Sequence, residues 1–212
     1  NTSQLVYEAV VKGLTSQGFP KELFAIVQGV NPEITHWLAK APEVTAIGFT
    51  GSGLVGKLLI KLSQERDVPI PVYAEMGSLN PVFFTPGALA EKADELAKAA
   101  MDSALLGSGQ FCTKPGIIVV PDDAAGDKFI SQIESYVAEQ KVGPLLNKGI
   151  ASRFTDAISS LTKSKGLKVI SGTNNPDGFG VTPTIFVVNW SDVKNHHDLL
   201  EEHFGPTSVI IR

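Results

Sequence analysis

The sequence predicts an α/β protein, and three observations carry that prediction. Short apolar runs rich in Val, Ile and Phe alternate along the chain with longer stretches of helical period. The runs are apolar throughout rather than at every second residue, which is typical of strands covered on both faces of a parallel sheet. Charged residues make up only 19% of the 212 residues, which favours a well-buried core.

Eight apolar runs bounded by Gly, Pro or Asn are predicted as strands. They are 23–27, 44–49, 72–74, 82–84, 116–120, 167–170, 184–188 and 208–211. Stretches with helical spacing of apolar residues are predicted as helices. They are 2–14, 32–39, 56–64, 89–106, 127–140 and 151–162. The small apolar residues of 89–106 indicate packing in a core.

The segment 68–81, "VPIPVYAEMGSLNP", is the best internal boundary of the chain. Its three prolines and one glycine interrupt any regular element repeatedly. The sequence therefore predicts two domains, 1–76 and 77–212.

Composition excludes several classes of partner and compartment. The net charge is −4 and the Lys and Arg residues are scattered, so neither nucleic acid nor an anionic membrane is expected as a partner. No apolar stretch approaches the roughly 20 residues that span a bilayer. A single cysteine forms no internal disulfide, and a cytoplasmic location is expected. No spacing of His or Cys predicts a metal site.

A glycine-rich turn at 46–59, "AIGFTGSGLVGKLL", follows a predicted strand and precedes a predicted helix. Gly51, Gly53 and Gly56 match G-x-G-x-x-G, and a helix N-terminus offers free N–H groups to a pyrophosphate. In dinucleotide-binding proteins with this pattern an acidic residue follows about 20 positions later, and Glu75 lies at about that distance from Gly56. Two elements precede the turn, however, and we expect Glu75 beyond the end of its strand, facing a crevice. We therefore expect this turn to contact a cofactor, but not with the geometry that is usual for G-x-G-x-x-G. The alternative is a plain strand-to-helix turn that binds no ligand.

The only cysteine of the chain lies in "GQFCTKPG", 109–116. Its flanking glycines predict an exposed turn with free amides, and a thiol on such a turn is a candidate nucleophile. A packed, inert thiol is the ordinary alternative for a lone cysteine. For Glu75 and for the pair Glu201-Glu202, the ordinary alternative is a solvent-exposed position on the surface with no functional role.

Four segments taken together give a more specific indication than any one of them. "FTGSGLVG" (49–56), "AEMGSLNP" (74–81), "GSGQFCT" (107–113) and "EEHFGP" (201–206) resemble, in this order, the signature blocks of the aldehyde dehydrogenase superfamily. The second and third look most like α-ketoglutaric semialdehyde dehydrogenases and related NADP-using members. The chain departs from the commonest pattern at Ser78-Leu79, where Gly-Lys is usual, and at His203, where Ile or Val is usual.

The resemblance implies a role for each matching position. Cys112 would be the nucleophile, Glu75 the general base that activates water, and Glu202 the residue that holds the nicotinamide ribose. The other implied positions are Gly51, Ser52 and Val55 in the cofactor groove, Gly77 where the nicotinamide approaches, Phe204 beside the ribose, and Phe111 in the aldehyde tunnel. Cys112 and Glu75 are expected to meet across a crevice between two domains.

The resemblance also implies a fold and an activity. Residues 1–76 would be part of a Rossmann-like cofactor domain, and 77–212 an α/β catalytic domain truncated at its C-terminus. The activity implied is NAD- or NADP-dependent oxidation of a small aldehyde of the carboxylated semialdehyde class, by an enzyme that is a homodimer or homotetramer. Relative to the family, about the first third and a final portion are missing, so the isolated piece is expected to be incomplete.

Two alternatives stay open at this point. An acylating or acyl-phosphate reductase has the same fold, but such members tend to lack the glutamate base, so Glu75 favours hydrolysis. A non-catalytic nucleotide-binding module would keep the cofactor turn but have an unreactive Cys112.

Overall fold

The computed structural model describes residues 2–29, 31–175, 177–194 and 196–212. The chain forms two compact units, Asn1–Met76 and Gly77–Arg212. Both contain helices and strands, which confirms the predicted α/β class. In the described part of the chain, no helix combines the length and the apolar character that a membrane span requires.

The first unit has a two-stranded parallel sheet with helices before and between its strands. Its elements are α1 (Thr2–Ser16), a 3₁₀ turn (Lys21–Leu23), α2 (Glu33–Lys40), β1 (Ile47–Gly51), α3 (Gly53–Gln64) and β2 (Val72–Met76). Its buried core consists of Ala39, Leu59 and Leu62. The Arg66 guanidinium donates hydrogen bonds to the carbonyl oxygens of Ala39 (2.8 Å) and Val44 (2.9 Å), which fixes the loop that leads into β1.

The prediction of a strand at 23–27 is wrong. The chain forms the 3₁₀ turn there and then continues without regular structure, while the Phe24 ring stacks on Tyr7 of α1. No described strand lies beside this segment, and an isolated strand would leave its backbone donors and acceptors unpaired. The apolar residues of α1 are not buried either.

The second unit is built around a five-stranded sheet in the order β3-β4-β7-β6-β5. Its strands are β3 (Val82–Phe83), β4 (Ile117–Val119), β5 (Lys168–Ser171), β6 (Thr184–Val188) and β7 (Thr207–Ile211). Its helices are α4 (Pro86–Leu105), α5 (Ala124–Ala138), α6 (Lys148–Thr162) and α7 (Trp190–Val193), with 3₁₀ turns at Leu106–Gly109 and His197–Leu200.

Helices cover both faces of this sheet, so alternate residues of one strand enter different cores. Ile185 and Val187 of β6 pack in a cluster with residues of α4 and α5. Phe186 and Val188 pack in another cluster that contains Leu161 of α6. Every residue of β6 and of β7 is buried, as the continuous apolar runs predict.

The predicted parallel arrangement needs one correction, at the edge of the sheet. Strand β5 pairs antiparallel with β6, whereas the other pairings in this sheet are parallel. The described residues of the connection from β5 to β6, 172–175 and 177–183, contain no helix, and an antiparallel neighbour needs no crossover helix. Helix α3 also begins at Gly53 rather than residue 56, because Ser52 caps it.

Candidate active site

The turn that carries the only cysteine has an unusual backbone. Gly107, Ser108 and Gly109 all have positive φ angles, of 57°, 59° and 67°. A Cβ atom on Gly109 would lie 2.1 Å from the carbonyl oxygen of Gly205, so the two backbones come close together. Only glycine allows this approach, because a left-handed conformation and a close backbone contact occur at one residue.

Side chains on both sides of this turn fix it to the rest of the second unit. The Ser108 hydroxyl donates to the carbonyl oxygen of Gly143 (3.0 Å). The Gln110 side chain accepts a hydrogen bond from the Leu146 N–H (2.8 Å) and donates one to the Gly107 carbonyl oxygen (3.1 Å). The turn is therefore held by contacts distant in sequence as well as by its own backbone.

Cys112 is exposed on this turn, as predicted. Its carbonyl oxygen accepts hydrogen bonds from the Ser78 hydroxyl (2.5 Å) and from the Asn80 side-chain amide (2.7 Å). Its own N–H makes no hydrogen bond to any residue that the structure describes. The peptide is thus oriented through its carbonyl group, while its N–H remains available to a ligand oxygen.

Glu202 lies next to the loop 77–81, which follows β2, in the same unit. Its Oε1 atom accepts a hydrogen bond from the Ser78 N–H (3.2 Å). Gly77 has a φ angle of +60°, and a Cβ atom there would lie 3.5 Å from the other carboxylate oxygen of Glu202. Ser78 therefore connects Cys112, through its hydroxyl, with Glu202, through its N–H.

Phe111 and Phe204, the two predicted aromatic positions, both have exposed side chains. Phe111 lies against Gly107, where a Cβ atom would come within 2.4 Å of the phenyl ring. Both rings are free to contact a ligand.

A buried lysine lies two residues after the cysteine. The Lys114 ammonium donates to the carbonyl oxygens of His203 (3.0 Å) and Thr207 (2.7 Å). Burial lowers the pKa of Lys114 to about 8, and attraction to the Glu202 carboxylate opposes that effect. Burial also lowers the pKa of His203, whose Nε2 atom is hydrogen-bonded to the carbonyl oxygen of Asp198 (2.9 Å).

The glycine turn of the first unit contains the other predicted cofactor residues. Gly51 ends β1, and Ser52 is the N-cap of α3, where its hydroxyl accepts a hydrogen bond from the Val55 N–H (3.4 Å). Val55 packs against the small core of this unit, whereas Leu54 is 83% exposed. The start of α3 is therefore open to a ligand.

The sequence suggested that Glu75 lies beyond the end of its strand, and this prediction is wrong. Strand β2 continues to Met76, so Glu75 is an internal residue paired with Thr50 of β1. The parallel pairing with β1 extends the strand past the predicted end at residue 74. The side chain is nevertheless exposed, as a base that activates water requires.

Sequence reasoning missed three residues that organise the site, namely Ser78, Asn80 and Lys114. Asn80 has a positive φ of 42° and donates to the carbonyl oxygens of both Cys112 and Lys114. An asparagine directly before a proline is a signal for a turn, and a lysine just before a buried strand is a signal for a paired charge. Among the described residues, no group of three or more His, Cys, Asp or Glu could hold a metal ion.

Comparison with known proteins agrees with this fold and these motifs. The sequence matches the aldehyde dehydrogenase family over residues 1–212. The chain therefore belongs to the aldehyde dehydrogenase family, as the four sequence blocks indicate.

Two curated relatives are α-ketoglutaric semialdehyde dehydrogenases. The chain is 34% identical to α-ketoglutaric semialdehyde dehydrogenase 2 of Azospirillum brasilense over 212 residues, which is 100% of this chain and 40% of that protein. It is 32% identical to the enzyme of Acinetobacter baylyi, over 99% of this chain and 40% of that protein. The chain thus spans about 40% of the length of these relatives.

Solved structures show the same fold. A mutant of proline utilization A from Bradyrhizobium japonicum matches with a TM-score of 0.83 and 26% identity, over 100% of this chain and 22% of that one. Proline utilization A from Bdellovibrio bacteriovorus matches with a TM-score of 0.82 and 25% identity, over 99% and 22%.

Proposed function

We propose that the full-length protein carrying this sequence oxidises an aldehyde to a carboxylic acid, with Cys112 as nucleophile and NAD or NADP as oxidant. The observation that carries the proposal is the Cys112 turn. The thiol is exposed, the carbonyl oxygen is held by Ser78 and Asn80, and the peptide N–H has no described partner. Fixed backbone with an available N–H beside a nucleophile is what acyl-transfer chemistry requires.

The residues of this chain would act in sequence. The Cys112 thiolate attacks the aldehyde carbon, a C–S bond forms, and the former carbonyl oxygen becomes an oxyanion that the Cys112 N–H can bind. A bound oxidised dinucleotide would supply the hydride acceptor for this carbon, and loss of the hydride would leave a thioester on Cys112. Glu75 takes a proton from water, the hydroxide attacks the thioester, the C–S bond breaks, and the thiolate and the acid are released.

Each unit, taken by itself, has residues that suit one part of a dinucleotide. The start of α3 is exposed at Gly51 and Ser52, and free N–H groups at a helix N-terminus suit a pyrophosphate. Glu202 uses one carboxylate oxygen to accept the Ser78 N–H, which leaves the second to accept ribose hydroxyls. The lack of a side chain at Gly77 keeps space beside that second oxygen. Phe204, exposed two residues later, would contact the same ribose.

The substrate class in this proposal is a small semialdehyde with a carboxylate group. Its support is the identity with two proteins named α-ketoglutaric semialdehyde dehydrogenases, together with a relative from Paraburkholderia xenovorans named N-succinylglutamate 5-semialdehyde dehydrogenase, at 34% identity. The proposal includes a cytoplasmic location and a homo-oligomeric full-length enzyme.

The test uses the full-length protein with a series of aldehydes and both dinucleotides. We expect reduced dinucleotide and carboxylic acid in equal amounts, and faster turnover of a carboxylated semialdehyde than of an unsubstituted aldehyde of equal length.

Cys112→Ser should reduce turnover by at least about 10³-fold, because the nucleophile is lost, while dinucleotide binding persists. Glu75→Gln should accumulate a thioester on Cys112, visible as added mass. Thr113→Ser is the control for a change beside the nucleophile.

Three results would contradict parts of the proposal. Turnover retained in Cys112→Ser would remove the thiol from the mechanism. An unchanged rate in Glu75→Gln, with no accumulated adduct, would remove Glu75 as the base. An acyl phosphate or another activated acyl product instead of the free acid would indicate the reductase alternative.

A further inference from the structure

Lys114 is the one buried lysine among the described residues, and only 5% of its surface is exposed. Its ammonium donates to two backbone carbonyl groups, those of His203 and Thr207, which lie on either side of the turn 204–206. A buried cation is costly unless it is hydrogen-bonded, so these two carbonyl groups must remain close to it. The side chain therefore fixes both ends of this turn.

The turn that Lys114 holds begins two residues after Glu202. The attraction between the ammonium and the Glu202 carboxylate is favourable. The same carboxylate is held from its other side by the Ser78 N–H. The position of Glu202 is thus fixed twice. The loop 77–81 holds its carboxylate through Ser78, and Lys114 holds the segment 203–207 that follows it.

The amine itself is not accessible to a substrate. The cavity beside it, lined in part by Ser78, Glu202, His203 and Thr207, has a volume of about 10 Å³. This is roughly the space that one water molecule needs, so neither an aldehyde nor a dinucleotide reaches the amine by way of this cavity. Any effect of Lys114 on the reaction must therefore pass through the 203–207 backbone and Glu202.

The backbone of Lys114 belongs to the cysteine turn. Its carbonyl oxygen accepts a hydrogen bond from Asn80 (2.9 Å), the same side chain that holds the carbonyl oxygen of Cys112 (2.7 Å). One residue therefore has its main chain in the nucleophile segment and its side chain in the segment that follows Glu202.

We propose that Lys114 is a positioning residue that sets the place of Glu202 relative to Cys112, and so determines how tightly the nicotinamide end of the cofactor is held. The inference rests on the proposed function, because it takes the ligand of Glu202 to be the nicotinamide ribose. It assigns Lys114 no contact with substrate or cofactor.

The test compares two variants of the full-length protein with the unchanged enzyme. Lys114→Met keeps an unbranched side chain that is one heavy atom shorter, and it removes the donors and the charge. Lys114→Arg keeps a charge but places a larger group in a cavity of about 10 Å³, which moves the turn. Lys163→Met, at an exposed lysine after α6, is the matched control. The measurements are KM for the dinucleotide, KM for the aldehyde, kcat, and the alkylation rate of Cys112 without cofactor.

We expect both Lys114 variants to raise KM for the dinucleotide by about 10- to 100-fold, because a small misplacement of a binding group has effects of this size. KM for the aldehyde and the cofactor-free alkylation rate should stay within about twofold of the unchanged enzyme, since Ser78 and Asn80 hold Cys112 without the lysine side chain. A merely structural lysine would instead change all four quantities together, or only thermal stability.

The outcomes separate the two proposals. An active unchanged enzyme whose variants keep the same KM for the dinucleotide would overturn the role of Lys114 and leave the proposed function intact. A protein that neither binds a dinucleotide nor oxidises an aldehyde in its unchanged form would overturn the proposed function, and this inference with it. If Lys114→Met does not fold, Lys114→Arg decides the matter by the same comparison.

Discussion

The two glycine-rich turns of this chain are built in different ways. In the first unit, Ser52 caps α3 with a single long hydrogen bond of 3.4 Å, and the start of the helix is exposed. In the second unit, three consecutive residues with positive φ lead to Cys112, and Ser108 and Gly109 are buried. The first turn is open, and the second is fixed by its surroundings.

The difference matches what each turn is proposed to do. A nucleophile and its N–H donor must be in place before the substrate arrives, and this requires support from the surrounding scaffold. A helix N-terminus that binds a pyrophosphate needs free N–H groups and open space, and the ligand completes its hydrogen bonds. The cysteine turn should therefore be sensitive to small changes in its supports, whereas the cofactor turn should tolerate them.

The largest effect is expected for Gly109→Ala in the cysteine turn. A left-handed conformation costs an alanine about 1–2 kcal/mol, and a Cβ atom 2.1 Å from the Gly205 carbonyl oxygen forces a backbone shift that costs about 1–3 kcal/mol more. We expect the free energy of unfolding of the second unit to fall by about 2–5 kcal/mol. The alkylation rate of Cys112 should change as well. Denaturant titration and thiol alkylation measure the two effects.

Gly53→Ala in the cofactor turn is the matched control. No atom lies within 4 Å of a Cβ at Gly53, and the residue begins α3, where alanine is the better helix former. Its effect should stay within about 1 kcal/mol and be neutral or stabilising. Equal losses in Gly53→Ala and Gly109→Ala would show that the two turns do not differ in rigidity.

The second effect concerns the pH dependence of stability, through the buried Lys114. Its pKa in the folded state is about 8, below the usual 10.5, so the unfolded chain binds more protons between these values. Stability therefore rises with pH from about 8 to 10.5, by about 2–3 kcal/mol for this group alone. The free energy of unfolding, measured from pH 7 to 10.5 for the unchanged chain and for Lys114→Met, isolates this contribution.

The difference between the two curves is the informative quantity, because groups other than Lys114 titrate in both proteins. We expect this difference to move in favour of the unchanged chain as the pH rises. A constant difference over the whole range would mean that Lys114 has an ordinary pKa, and that its surroundings are more open than the 5% exposure indicates.

The elements that could be predicted are those whose evidence lies within the element itself. The run 184–188 is apolar at every residue after Thr184, and β6 is buried at every residue. The glycines around Cys112 predict a turn that exposes the cysteine, and the Cys112 side chain is exposed. Local sequence determines these features, because a strand covered on both faces or a left-handed turn restricts which residues it can contain.

The rest depends on partners far away in the sequence. Residues 23–27 resemble a strand, but the described part of the chain offers no neighbouring strand to pair with. Asn80 reaches Cys112 across 32 positions, and Lys114 reaches Thr207 across 93. Glu75 lies within β2 because pairing with β1 extends that strand. Periodicity and spacing contain no record of such contacts. Local sequence could therefore indicate a turn at Asn80 and a paired charge at Lys114, but not the partners of Ser78, Asn80 and Lys114.

The smallest effect is expected for Ser52→Ala, and Thr85→Ala supplies its control. Ser52 caps α3 in the first unit, Thr85 caps α4 in the second, and each hydroxyl accepts its hydrogen bond at 3.4 Å. Both substitutions should lower the free energy of unfolding by about 0.5–1 kcal/mol. Only Ser52→Ala should also weaken dinucleotide binding, by about two- to tenfold, since a single neutral hydrogen bond contributes this much. Titration of both full-length variants with NAD and NADP measures the difference, and equal affinities would remove Ser52 from the cofactor site while leaving its role as a helix cap.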